Sequence, residues 1–479
     1  MADKPINKKL LVKSSFWYTV SMFLTRGIGF ITTPIFTRLM PKEVYGDYSV
    51  FVTWQSILLI ICSIEVHVTL NRARFDYTEK KDLDSYIISS LVLTTALTGV
   101  VFLLYMFFPH LFERLFLLDR KYMYVMFAYL FAVPALNMFQ TKQRIEYRYK
   151  VSSTISITIA LLSPLLGVLF VMWMKDNQML GRALGQYMLY ILFGILFYGY
   201  YIVRSRKISA RHWKYALRIG IPLVFTQLSS RILLSSDHII LKHMCSAEVV
   251  SNVSITHSTS HLITILVQTL NLAWAPWFYD MLKIRNHSEI RKVFRIYLWA
   301  MIFCTFAVLL VGPEVIALLG SSKYRESIYI LPACSLCGVF SVLIAQFGNL
   351  ETYHKKPEYA AALTGIVAIL NVVLDIVGVK LWGYQAVCYV TVFCQVLLIV
   401  LHYIVTRKMN IRELLPVKTL LLAMLVTLLL IPFSLLLYRN QLVRYSFVAI
   451  IFVAAIALMI VFREKILHLI RLFKKSKST

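Results

Sequence analysis

The chain is built from long apolar runs, the first of which extends from residue 14 to residue 40. At about 1.5 Å per residue, a helix of this length exceeds the hydrocarbon core of a bilayer, which is about 30 Å thick. Hydrophobic residues make up 59% of the 479 residues and charged residues 15%, whereas soluble domains contain about 25% charged residues. The sequence therefore predicts an all-α polytopic membrane protein.

We predict about 14 transmembrane helices joined by short connections, which leave no room for an extramembrane domain. The predicted bounds are 14–40, 47–70, 85–108, 121–141, 151–174, 182–203, 215–243, 250–274, 294–318, 328–350, 360–380, 384–405, 417–438 and 444–462.

An internal repeat relates the two halves of the chain. Arg26 and Arg231 occupy matching places 205 residues apart, and Asn137 matches Asn349 at a shift of 212. The repeat predicts two six-helix lobes related by a pseudo-twofold axis, plus two C-terminal helices. The predicted domains are an N-terminal lobe (1–203), a C-terminal lobe (204–405), and helices 13 and 14 with a basic cytoplasmic tail (406–479).

The net charge of +27 does not require a nucleic-acid partner. Lys and Arg concentrate in one set of connections, for example at Lys142, Arg144 and Arg148, as they do in cytoplasmic loops of membrane proteins. We therefore predict that both termini lie in the cytoplasm, that the helix number is even, and that no nucleic acid binds.

Arg26 and Arg231 lie near the middle of two apolar runs. A cation at bilayer depth costs a few kcal/mol or more, so it normally faces a hydrated cavity or an anion. The planar guanidinium suits phosphate because it forms bidentate, charge-assisted hydrogen bonds. We predict that both arginines bind an anionic substrate, which the family resemblance described below implies to be lipid-linked. The alternative is an ion pair, of Arg231 with Asp237 or of either arginine with Glu65.

Further polar residues recur at helical spacing in predicted helices 7 and 8, so they share one face of each helix. Together with the arginines they form the predicted substrate-binding set: Arg26, Arg231, Gln227, His238, Lys242, His261 and Gln268. Polar side chains in membrane helices also hydrogen-bond neighbouring helices without a ligand, and this alternative stays open for each of them.

Asp375 is a second kind of candidate, an acid inside predicted helix 11. It can bind a coupling cation, either H⁺ or Na⁺, or pair with a nearby Lys or Arg. Glu65 and Asp237 complete the set of coupling or ion-pair candidates.

Cys334 and Cys337 form a Cys-x-x-Cys pair inside an apolar run. No second pair and no His at ligand spacing accompany them, so we predict that they pack in the protein rather than bind zinc. The sequence predicts neither a metal site nor a cofactor.

One segment carries a resemblance to a known family. Pro34-x-x-x-Arg38-x-x-Pro41-x-Glu43-x-x-Gly46-x-Tyr48 resembles the first-helix signature of bacterial polysaccharide-biosynthesis (Wzx-type) oligosaccharide flippases. The segment 25–30 is similar to the part of the related lipid II flippases that holds a cavity arginine, and segments 181–186 and 371–375 also resemble family positions.

The resemblance implies the fold of the MOP superfamily, shared with multidrug and toxic-compound extrusion (MATE) transporters. It implies a protein of the bacterial cytoplasmic membrane that flips undecaprenyl-diphosphate-linked oligosaccharide to the outer leaflet, for O-antigen, capsule or exopolysaccharide synthesis. A polysaccharide polymerase and a chain-length regulator are the implied candidate partners besides the lipid bilayer. In the lipid II flippases helices 13 and 14 line a lipid-tail groove, which implies a similar role for residues 417–462.

Two alternatives remain open. A MATE-like cation-coupled drug exporter shares the fold, although such exporters tend to carry acids in helix 1 and residues 14–40 contain none. A membrane glycosyltransferase or polysaccharide polymerase generally needs a sizeable catalytic loop, and the connections here are short. The sequence also lacks a Walker loop for ATP hydrolysis. We therefore predict a transporter and not an enzyme, driven by a cation gradient or the membrane potential.

Overall fold

The computed structural model describes residues 8–146, 148–205, 207–408 and 416–461. Within them the secondary structure is helical, without a strand, which confirms the predicted all-α class. The helices are α1 (Lys8–Leu39), α2 (Lys42–Ser63), α3 (Val66–Asp76), α4 (Lys80–Phe107), α5 (Pro109–Phe116), α6 (Arg120–Ile145), α7 (Tyr149–Trp173), α8 (Gln178–Arg204), α9 (Ala210–Met244), α10 (Ala247–Lys283), α11 (His287–Leu310), α12 (Gly312–Gly320), α13 (Leu331–Tyr353), α14 (Pro357–Trp382), α15 (Ala386–Lys408), α16 (Val417–Arg439) and α17 (Gln441–Val461).

The membrane-spanning character of the bundle is clear from helix length and hydropathy. Among the described residues, 11 spans are long and apolar enough to cross a bilayer, or 12 when the bent helix α10 is taken as one span. The chain is thus a multi-pass membrane protein, as predicted. The predicted count of 14 is not confirmed by this number.

The predicted helix 47–70 is broken in the structure, in its C-terminal third. Ile64 and Glu65 separate α2 from α3 and have φ values of 46° and 50°, in the left-handed region that costs a non-glycine residue about 1–2 kcal/mol. Tight packing holds this turn in place, because a Cβ at Gly220 of α9 would come within 2.5 Å of the Ile64 carbonyl oxygen. A hydrophobic pattern does not reveal such a break, since both residues remain buried.

The buried apolar residues form two large clusters. The N-terminal cluster extends from Tyr48 of α2 to Ala216 near the start of α9. The C-terminal cluster extends from Ile240 near the end of α9 to Met424 of α16, with Val50 of α2 added. Helix α9 thus joins the N-terminal cluster at one end and the C-terminal cluster at the other. The predicted domain boundaries at residues 203 and 405 remain predictions.

Candidate functional site

A polar cavity of about 390 Å³ lies where α2 meets α9, α10, α13 and α15. Its wall is rich in hydroxyl, imidazole and thiol groups, so it offers water and polar ligands many hydrogen-bond partners. The lining residues are Tyr45, Tyr48, Ser49, Val52, Thr53, Arg231, Leu234, Ser235, Asp237, His238, Ser254, His257, Ser258, Ser260, His261, Thr264, Cys334, Cys337, Ser341, Cys388 and Thr391.

Arg231 is the cation of this wall. Its Nε donates a hydrogen bond to Ser56 Oγ on α2 at 2.7 Å, and its side chain is half-buried. Asp237 attracts it electrostatically, but no carboxylate of the described residues forms an ion pair with it. The guanidinium therefore retains donors that can turn towards a ligand in the cavity.

Three shielded cations of the bundle have a carboxylate partner, which offsets the cost of burying their charge. Arg231 differs from these three because its hydrogen-bond partner is a neutral hydroxyl. Arg182 of α8 also has no ion pair among the described residues, and its guanidinium stacks 3.4 Å from the centre of the Phe36 ring. The paired cations are Lys142 with Asp84, Lys242 with Asp47, and Arg444 with Glu314.

His238 and Asp237 are neighbours on α9 with different partners. Thr53 Oγ1 of α2 lies 3.1 Å from His238 Nδ1, and Ser254 Oγ of α10 lies 3.4 Å from its Nε2. Asp237 Oδ2 lies 3.2 Å from Nε2 of His257 on α10. The predicted alternative, an Arg231–Asp237 ion pair, is therefore replaced by a contact between Asp237 and a histidine.

Lys242 lies beyond the cavity, at the end of the bundle where α1 ends and α2 begins, called here the α1–α2 end. Its Nζ is 2.5 Å from Asp47 Oδ1 of α2, so it ties α9 to α2. At the same end Thr37 of α1 donates a hydrogen bond to the Leu319 carbonyl of α12. The structure thus places Lys242 in an ion pair between α9 and α2 and not on the cavity wall.

The remaining predicted ligands fall in different places. His261 lines the cavity. Gln227 and Gln268 are exposed and do not contribute to the cavity lining. Arg26 belongs to α1, but its side chain lies outside the described residues.

The two other acids are buried away from the cavity wall. Glu65 occupies the break between α2 and α3, with Oε2 3.8 Å from His67 Nε2. Asp375 of α14 is 0% exposed, and neither of its carboxylate oxygens has a hydrogen-bond partner among the described residues. Asp375 lies one helical turn after Asn371, whose Oδ1 accepts a hydrogen bond at 3.5 Å from Oγ of Ser236, the residue next to Asp237 on α9. The packing of α14 on α9 therefore places two of the three predicted acids in the same region.

Sequence reasoning missed several members of the wall, above all Cys388 of α15 and the role of Cys334 of α13. Their sulfur atoms lie 2.7 Å apart, although 54 residues separate them along the chain. A cysteine inside an apolar helix carries no sequence signal for such a neighbour, because helical periodicity defines a face and not the helix packed against it.

The arrangement has the fold of known membrane transporters. The structure superposes on the lipid II flippase MurJ in an inward closed conformation with a TM-score of 0.66 and 14% identity, covering 94% of this chain and 99% of that one. It superposes on an inward-facing multidrug resistance MATE transporter with a TM-score of 0.58 and 15% identity, covering 81% of this chain and 94% of that one. It also superposes on a MOP superfamily transporter from Pyrococcus furiosus with a TM-score of 0.58 and 16% identity, covering 83% of this chain and 95% of that one. The chain therefore has the fold that MurJ shares with the MATE transporters.

Residues 11–282, more than half of the sequence, match the family described as polysaccharide biosynthesis protein. The chain belongs to this family, which confirms the resemblance seen in its first helix. It is 20% identical over 289 residues to Lsg locus putative protein 1 of Haemophilus influenzae. That match spans 57% of this chain and 66% of the relative, slightly less than two thirds of its length.

Proposed function

We propose that the protein flips undecaprenyl-diphosphate-linked oligosaccharide from the cytoplasmic to the outer leaflet of the bacterial inner membrane by alternating access. The observation that carries this proposal is the placement of Arg231, a half-buried cation on a polar cavity wall with a hydroxyl as its partner. Membership of the polysaccharide biosynthesis family supports the substrate class.

The diphosphate binds to the Arg231 guanidinium through paired charge-assisted hydrogen bonds. Arg26, at the matching place in the repeat, supplies the second cation. The hydroxyl and imidazole groups of the wall, including His261, bind the first sugar. The polyprenyl tail stays in lipid, and a cavity of about 390 Å³ falls in the size range of small-ligand sites.

Transport requires the α1–α2 end to open and close. With both termini in the cytoplasm, this end faces the outer side of the inner membrane, and the Lys242–Asp47 ion pair closes it. Rocking of the two halves breaks the pair and exposes the substrate to the outer leaflet. A polymerase and a chain-length regulator then act on the released repeat unit, as the resemblance implies.

The buried acids supply the coupling. Asp237 and Asp375 are 5% and 0% exposed, and two like charges in a shielded place are costly unless a cation joins them. We propose that H⁺ or Na⁺ binds there, while the membrane potential contributes about 2.3 kcal/mol per charge and 100 mV.

The variant Asp375→Asn tests the coupling. It removes one carboxylate with little change in volume, so we expect export in vesicles to lose its dependence on the driving cation gradient. Glu65→Gln is the matched control, because Glu65 is also buried but lies at the α2–α3 break. Equal dependence on the gradient in wild type and Asp375→Asn would exclude this site.

The function itself is tested by deleting the gene. We expect loss of surface polysaccharide, with lipid-linked repeat units accumulating on the cytoplasmic leaflet, and no change in drug resistance. Wild-type surface polysaccharide together with increased drug sensitivity would instead identify the protein as an exporter of the MATE kind.

A further inference from the structure

Three helices bring metal-ligand atoms together on the cavity wall. His257 of α10, Cys334 of α13 and Cys388 of α15 each offer one ligand atom, and these atoms lie within 4.8 Å of one another. The two sulfur atoms are 2.7 Å apart. Two thiols and an imidazole are the donor set that zinc and other thiophilic ions prefer.

The distances are compatible with tetrahedral coordination. Zinc–sulfur bonds of about 2.3 Å place two coordinating sulfur atoms about 3.8 Å apart. The Cys334 and Cys388 sulfur atoms would therefore separate by about 1 Å as the ion binds, which rotation of the side chains provides. Both cysteines are shielded, at 6% and 2% exposed, yet both line the cavity, so an ion can reach them.

Asp237 completes the arrangement as an orienting group. Its carboxylate lies 3.2 Å from His257 Nε2, which leaves Nδ1 of the ring for the metal ion. A metal-binding histidine usually hydrogen-bonds a carboxylate through the ring nitrogen that does not bind the metal. His238 is also close to Asp237 and His257. Both ring nitrogens of His238 already contact Thr53 and Ser254. We therefore favour the set with two thiols over the set that includes His238.

We propose that His257, Cys334 and Cys388 bind a thiophilic metal ion, with zinc as the reference ion, and that Asp237 orients the histidine. Two thiolates balance the charge of a divalent ion, and binding releases the thiol protons. The fourth position opens to the cavity. The ion ties α10, α13 and α15 together and stabilises the folded protein by mass action. The proposal is independent of which substrate the protein transports.

Zinc binding to the purified full-length protein in detergent, kept reduced, tests the site. We expect about one zinc ion per chain by equilibrium dialysis, and a cobalt–thiolate charge-transfer absorption when Co²⁺ replaces Zn²⁺. The variants Cys334→Ser and Cys388→Ser should each abolish the absorption, and Asp237→Asn should weaken zinc binding about 10-fold or more. Cys337→Ser is the matched control, since Cys337 also lines the cavity but is not in the cluster.

A measurement on the wild-type chain covers the case in which the variants fail to fold. Zinc should protect Cys334 and Cys388 from alkylation, read out by mass spectrometry, and leave Cys337 unprotected. The proposal is overturned if the wild type binds no zinc, if Cys337→Ser loses the absorption equally, or if Cys334 and Cys388 form a disulfide that persists under reductant.

Discussion

Replacing Arg231 by glutamine is expected to reduce export of the lipid-linked repeat unit about 100-fold or more. Hydrogen bonds to charged groups contribute about 1.5–3 kcal/mol each, so losing a bidentate pair costs about 3–6 kcal/mol. Glutamine keeps the polar character of the position but has no charge for a diphosphate. Arg231→Lys should recover part of the activity, because it restores the charge without the planar fork.

The readout is the ratio of repeat units accessible on the outer leaflet to those held on the cytoplasmic leaflet, at matched protein levels. Arg218→Gln is the control, because it makes the same change on α9 outside the cavity lining. Unimpaired export in the double variant Arg26→Ala/Arg231→Ala would refute the assignment of both arginines.

Gly46→Ala is expected to produce the second large effect, a decrease in the population of molecules in which the α1–α2 end is closed. A Cβ built on Gly46 lies 1.8 Å from the Ala247 carbonyl oxygen of α10 and 2.6 Å from its carbon. No flexible side chain can yield there, so α2 and α10 must move apart. Overpacking of this kind costs about 1–3 kcal/mol, which changes a conformational equilibrium about 5- to 150-fold.

Cross-linking of Asp47→Cys to Lys242→Cys with a short bifunctional reagent, in a Cys245→Ser background, compares the closed population between variants that all lack the Asp47–Lys242 ion pair. Gly99→Ala is the matched control, because its added Cβ meets no atom within 4 Å, and alanine favours a helix over glycine by about 1 kcal/mol. We expect less cross-linking with Gly46→Ala and unchanged cross-linking with Gly99→Ala. Equal cross-linking in both would show that α2 and α10 tolerate the added methyl group.

This contact also accounts for the glycine in the first-helix signature. The sequence pattern placed Gly46 after Pro41 and Glu43 without indicating its purpose. The structure shows that the backbone of α10 approaches α2 at this residue, where a side chain has no space.

The sequence predicted much of the fold because the bilayer restricts the choices. A backbone in hydrocarbon must satisfy its own hydrogen bonds, so long apolar runs become helices. Helix bounds were less accurate, as the break at Ile64 and Glu65 shows. The substrate-binding set stays a prediction, and of its members Arg231, His238 and His261 line the cavity, whereas Gln227 and Lys242 do not.

The sequence alone determined that this is a helical membrane protein and that Arg231 and Asp237 are charged groups at membrane depth. Only the tertiary structure decided their partners: Ser56 for Arg231, His257 for Asp237, and a second cysteine for Cys334. The physical reason is that helical periodicity determines which side chains share a face, while the packing and rotation of each helix determine what that face meets.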